Sequence, residues 1–156
     1  MRADWIEYRR LGIAWVALCA ALALHVADEA LTGFLSVYNP TVLAMRERYE
    51  WFPMPVFEFA DWLTGLVIGV AVLLALSPFA FRGARWLRPL AYFFAILMLV
   101  NGSGHILGTI LGHTLPAIRF QRPMPGFYSS PLLLVASVYL LIQLGKSADR
   151  PAPRAE

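Results

Sequence analysis

Four apolar stretches constrain the fold of this chain more than any other feature. They run from Leu11 to Tyr38, from Val56 to Phe81, from Trp86 to His113 and from Tyr128 to Leu144. Each is long enough for a helix to cross a hydrocarbon core about 30 Å thick at about 1.5 Å per residue, although the last is near the lower limit. With 59% hydrophobic and 15% charged residues, the composition is that of a membrane protein. We predict an all-α, polytopic protein that forms a four-helix transmembrane bundle.

The basic residues give this bundle an orientation. In the four-span arrangement nine of them lie on one side and four on the other, and the side with more Arg and Lys is normally cytoplasmic. The four are Arg46, Arg48, Arg119 and Arg122. Both termini are therefore predicted to be cytoplasmic. A single transmembrane domain would cover residues 1–146, and 147–156, with two prolines and mixed charges, would be a short disordered tail.

The first span contains three ionisable side chains, His25, Asp28 and Glu29. Such groups are costly in hydrocarbon and are tolerated mainly where they face the bundle interior, pair with polar groups or line a wet cavity. The segment therefore marks a candidate functional site. Alternatively, the first span could be a cleaved signal peptide, because Arg9 and Arg10 precede a short apolar run.

Two other spans bring polar residues to the same depth. Counting the helical rise from the predicted membrane boundaries places His25 and Glu29 of the first span near Asp61 of the second and near Asn101 and His105 of the third. On the third span Asn101 and His105 lie beside Gly104, Gly108 and Gly112, and on the second Asp61 lies beside Gly65 and Gly69. Small residues at this spacing permit close helix packing, so we expect the polar groups to face inward.

This residue set supports three kinds of chemistry. His25, Glu29 and His105 can ligate zinc or non-haem iron, because two imidazoles and a carboxylate leave coordination positions open. Asp28 and Glu29 are then the candidate catalytic carboxylates, while Asp61 and Asn101 are candidate ligand-binding residues. Without a metal, the same groups could act as an acid/base pair or relay protons. They could also be interhelical hydrogen bonds without chemistry, and the roles of Glu58 and His113 stay open.

Three segments resemble motifs of the HXXEE-domain family, small integral membrane proteins of largely unknown function. They are His25-Val-Ala-Asp28-Glu29, Asn101-Gly-Ser-Gly-His105 and Tyr128-Ser-Ser-Pro131. Asp28 stands where the family has a first Glu, and the last segment stands where it has YxPG. The resemblance covers Leu11 to Leu144 and implies a membrane location and a shared polar site. Tyr128 joins the candidate ligand-binding residues on this ground.

The favoured function is a metal-assisted enzyme that acts on a lipid or another amphiphile, with membrane lipids as its surroundings. The alternatives are a small transporter or accessory subunit and a metal-free isomerase. The chain lacks phosphate-binding and dinucleotide-binding motifs, and outside the predicted cytoplasmic flanks it has no basic stripe, which excludes nucleic acid as a partner. Arg supplies twelve of the thirteen basic residues, a composition associated with bacterial chains of high GC content, so we expect the bacterial inner membrane.

The predicted orientation can be tested with reporter fusions. Because the basic residues cluster at both ends and around Gly83, reporters at the C-terminus and near Gly83 should report the cytoplasm, and reporters near Glu47 and Arg122 the exterior. An exterior C-terminus would contradict the four-span arrangement.

Overall fold

The computed structural model describes residues 2–146, and most of these are helical. The predicted disordered tail, 147–156, lies outside the described residues. Six helices and one small hairpin follow each other along the chain: α1 Arg2–Thr32, α2 Leu35–Arg48, α3 Phe59–Ala75, α4 Ser77–Phe81, α5 Leu87–Leu111, β1 His113–Leu115, β2 Ile118–Arg119 and α6 Ser130–Lys146.

Three helical segments are long and apolar enough to cross a membrane. They are Trp5–Thr32 in α1, Phe59–Phe81 in α3 and α4, and Leu87–Leu111, which is α5. The prediction of a mostly helical protein with helices able to span a membrane is confirmed. The fourth predicted span corresponds to α6, an apolar helix of 17 residues that extends only about 25 Å.

The first predicted span is wrong at its end, because α1 stops at Thr32 instead of continuing to Tyr38. Gly33 has φ +77°, a left-handed conformation that ends a helix and that glycine adopts at little cost. The Phe34 N–H bonds back to the Glu29 carbonyl oxygen at 3.0 Å, which closes the last turn. The chain then continues as α2, so Glu29 lies within the last turn of α1.

The hydrophobic core is formed chiefly by α1, α5 and α6. Trp15 and Leu18 of α1 and Leu133 and Leu140 of α6 are completely buried. Because α1 contributes so much of this core, its loss as a cleaved signal peptide would remove one side of the bundle. In contrast, only 6% of the most apolar part of α3 and α4 is buried. The Trp15 indole N–H donates to the Leu73 carbonyl oxygen at 2.9 Å and links α3 to α1.

Three of the five glycines predicted to line the helix interfaces do not do so, while Gly108 and Gly112 pack against Met124 and Arg122 of the connection before α6. Gly65, Gly69 and Gly104 have no atom within 4 Å of where a Cβ would stand, whereas a Cβ at Gly102 would lie 3.1 Å from Leu134 of α6 and 3.3 Å from the Ser130 carbonyl oxygen. The close approach of α5 to α6 therefore occurs at Gly102. Spacing alone did not distinguish the helix face with the contact from the face without one.

The chain is mostly helical, as predicted, but the segment after α5 forms a small hairpin in which β1 and β2 pair in antiparallel fashion. Gly112 has φ +76° and ends α5 as its C-cap, and the β-branched residues Thr114 and Ile118 favour the extended strands that follow. The hairpin projects from the end of α5 that lies close to the Gly33 turn.

Replacing Gly102 with Leu should destabilise the bundle by about 1–3 kcal/mol relative to replacing Gly69 with Leu, because only the first side chain would be forced into packed atoms. Both changes give the same gain in helix propensity, so the pair isolates the packing effect. Thermal unfolding in detergent measures the difference. Equal midpoints would show that α5 and α6 do not pack closely at Gly102.

Candidate functional site

Two helices bring three buried side chains together near the Gly33 turn. His25 and Glu29 are one helical turn apart on α1, and His105 approaches from α5. The exposed fractions are 1% for His25 and 4% each for Glu29 and His105. One potential ligand atom from each residue lies within 4.8 Å of the other two. The three side chains thus form a single buried cluster, which we call the triad.

Two distances within the triad are close to those between two ligands of one small metal ion. Glu29 Oε1 is 3.1 Å from His105 Nε2 and 3.5 Å from His25 Nε2. Two ligands of a tetrahedral metal at metal–ligand distances of 2.0–2.1 Å are about 3.3 Å apart. The imidazole rings meet edge to face, with their centroids 4.8 Å apart.

The hydrogen-bond partner of His105 fixes which ring nitrogen carries a hydrogen. His105 Nδ1 bonds to the Pro125 carbonyl oxygen, which can only accept, so Nδ1 must be the donor. In the neutral imidazole, Nε2 then presents a lone pair toward Glu29. Pro125 belongs to the connection between the hairpin and α6, so a segment remote in sequence determines the state of this ring.

A chain of hydrogen bonds orients His25 in the same way. The Ser129 hydroxyl donates to Asp28 Oδ2 at 2.8 Å, and the Ser129 backbone N–H donates to the same oxygen at 2.8 Å. Because the hydroxyl has one hydrogen, its oxygen accepts from His25 Nδ1, 2.8 Å away. The neutral His25 ring therefore also carries its lone pair on Nε2, the nitrogen that faces the triad.

With both Nδ1 atoms acting as donors, lone pairs meet inside the site. His25 Nε2 is 2.9 Å from Asn101 Oδ1, and Glu29 Oε1 is buried without a hydrogen-bond partner among residues 2–146. Rotation of the Asn101 amide would give His25 a donor, but Glu29 would still face the lone pair of His105. A carboxylate in this position needs a cation or a proton between itself and the imidazoles.

Gly126 allows the connection before α6 to lie directly on the triad. Its φ is +83°, and a Cβ there would lie 2.8 Å from His105 Cε1 and 3.0 Å from Glu29 Cγ. The Gly126 N–H donates to the Thr32 hydroxyl at 3.2 Å, which ties the segment to the end of α1. On another side Phe34 lies 5.7 Å from the His105 ring and stacks on Trp62 of α3.

The structure brings together five of the seven predicted site residues: His25, Asp28, Glu29, Asn101 and His105. Their shared depth and helix faces were sufficient to group them.

The remaining two predicted residues lie elsewhere. Asp61 is exposed on the first turn of α3. Within residues 2–146, it forms no hydrogen bond or ion pair with a triad residue. Trp62, rotated by about 100° from Asp61, faces inward instead. Tyr128 is 69% exposed, and it is its neighbour Ser129 that bonds to the site.

Sequence reasoning missed Pro125, Gly126 and Ser129. The available signal was the Pro-Gly pair followed by two serines, a composition typical of turns that place backbone groups against a site. Comparisons with protein-family models, curated proteins and solved structures give no match. The functional argument consequently depends on the geometry of the triad.

A Gly126→Ala variant should be destabilised by more than a Gly33→Ala variant. Both changes place alanine at positive φ, which costs about 1–2 kcal/mol, but only Gly126 has triad atoms where the methyl group would lie. The difference in unfolding midpoint in detergent therefore measures crowding of the triad. Equal losses in the two variants would mean that the segment does not rest on His105 and Glu29.

Proposed function

We propose that this chain is an integral membrane protein that binds zinc or non-haem iron at His25, Glu29 and His105. The supporting observation is that two imidazole nitrogens and one buried carboxylate oxygen converge with no hydrogen among them when both rings are neutral. A divalent cation satisfies all three atoms at once. Two His and one carboxylate are also the donor set of open catalytic sites.

We further propose that the bound metal assists a reaction on a lipid or another amphiphile. Such an ion would supply Lewis-acid activation of water or of a substrate oxygen. Asp28 and Ser129 would hold the hydrogen on His25 Nδ1 and so keep Nε2 directed into the site, as outer partners of metal-bound histidines commonly do. Asn101, whose amide oxygen is 2.9 Å from His25 Nε2, would orient the substrate or complete the ligand set.

The proposal includes the four-span arrangement with both termini in the cytoplasm. Glu29 lies in the last turn of α1, and His105 lies in the second-last turn of α5. In that arrangement both helix ends face the exterior, so the site lies in the outer half of the membrane. An HXXEE-type protein in the bacterial inner membrane fits this picture.

Proton transfer is the second candidate function, and a specific contact favours it. Hydrogen bonds connect His25 through the Ser129 hydroxyl to Asp28, which is only partly buried. A proton shared between Glu29 and His105 would satisfy two of the three lone pairs that a metal satisfies. A metal-free relay or acid/base isomerase would then use Asp28 and Glu29 as its exchanging groups.

Metal analysis separates the two candidates. Protein purified without chelator and supplied with zinc or ferrous iron should carry close to one ion per chain. His25→Ala and His105→Ala should each lower that content by about tenfold or more at limiting metal, because the loss of one of three ligands weakens a site steeply. Glu29→Gln should behave similarly.

His113→Ala is the matched control, because His113 lies beyond the end of α5 and outside the triad. It should retain full metal content. The metal proposal fails if the unaltered protein stays metal-free, or if both triad variants bind as much metal as the control. The first outcome would leave the proton relay as the function to test.

A further inference from the structure

A groove runs along the side of α5 that faces away from α6 and leads to the triad. Its volume is about 320 Å³, at the lower end of the range for small-molecule sites. The helical residues from Asn101 to Leu111 span about 15 Å. Val100, Leu107 and Leu111 give it an apolar wall, Met124 faces it from the connection before α6, and His105 lies at its inner side.

The absence of a side chain at Gly104 keeps this groove open. Gly104 is exposed, and no atom lies within 4 Å of where its Cβ would stand. Gly104 is also the residue next to His105, so the groove passes the triad at this point. The space beside Gly104 therefore connects the groove to the triad.

A positive charge lies beside the hairpin end of the groove, and an unsatisfied polar atom lies at that end. The Arg122 guanidinium packs over Gly112, since a Cβ there would be 2.9 Å from Arg122 Nε. Among residues 2–146, no carboxylate forms an ion pair with Arg122. His113 and Thr114 line the same end of the groove, and His113 Nδ1 is buried without a hydrogen-bond partner among the described residues.

We propose that the groove binds an anionic phospholipid, with one acyl chain along α5 and the phosphate at Arg122 and His113. The charge complementarity decides the headgroup, because arginine and imidazole N–H groups are strong phosphate donors. The apolar wall favours an acyl chain as the other part of the ligand. Since α5 is itself a candidate membrane span, lipid would surround the groove. This inference deepens the proposed function, because the acyl chain would pass beside His105. Binding of the lipid stands by itself, and only a reaction on that lipid rests on the proposed function.

The structure offers a variant that closes the groove without disturbing the core. Gly104→Leu projects a side chain into open space, so the helix should stay folded while the groove is filled. Gly69→Leu on α3 is the matched control, because Gly69 is equally open and does not line the groove. Arg122→Gln tests the headgroup end, with the exposed Arg48→Gln on α2 as its control.

Native mass spectrometry of detergent-purified protein titrated with phosphatidylglycerol and, separately, phosphatidylcholine measures retained lipid. Phosphatidylglycerol should bind more tightly than phosphatidylcholine. Gly104→Leu should weaken it by about tenfold or more, and Arg122→Gln by about tenfold, because the latter removes a charge-assisted hydrogen bond to the phosphate. The two controls should bind as the unaltered protein does. Glycerol phosphate, which has the headgroup but no chain, should not displace the lipid.

Three outcomes would overturn the proposal. They are equal binding of the two lipids, unchanged binding by Gly104→Leu, and displacement by glycerol phosphate at concentrations comparable to the lipid. The last would indicate a simple anion site. Metal content measured on the same Gly104→Leu sample distinguishes failure of the lipid proposal from failure of the metal proposal. If the groove binds no lipid, the triad can still bind metal. If the triad binds no metal, the groove can still bind lipid.

Discussion

The burial of the Glu29 carboxylate between two imidazoles is the constraint around which this structure is organised. A carboxylate removed from water costs several kcal/mol unless a proton, a cation or donors compensate it, and inside a membrane the penalty is not relieved by solvent. The surrounding elements supply the groups that contact the carboxylate or orient those contacts. Helix α1 supplies His25 one turn away, α5 supplies His105, and the segment before α6 fixes the hydrogens of both rings through Pro125 and Ser129.

Much of the helical architecture was predictable from the lengths of the apolar stretches. The predicted limits of the second and third spans, 56–81 and 86–113, differ from the helices by at most three residues at either end. What could not be predicted was which face of each helix has a neighbour. Helix α3 contacts mainly α1, so the glycines on its apolar surface face open space. Spacing in a sequence describes one helix, whereas an interface depends on two.

The candidate site was predictable to a similar extent and for a related reason. Depth along a span and the three-or-four-residue spacing of a helix face grouped His25, Glu29, Asn101 and His105 correctly. The same depth argument included Asp61, whose direction around α3 it did not constrain. The contribution of Ser129 was hidden because it comes from an irregular segment. No periodicity governs such a segment, and its conformation is set by the turn at Gly126 and by the site on which it rests.

The contact between His25 and Ser129 joins residues 104 positions apart, and this separation imposes an order on biosynthesis. The N-terminal helix emerges from the ribosome first, carrying a histidine and two carboxylates whose partners on α5 and in the segment before α6 are made much later. Until then these side chains lack the partners that they have in the folded protein. In the proposed membrane bundle, a chain interrupted before residue 101 would expose those groups to lipid without any of their partners from α5 or from the segment before α6.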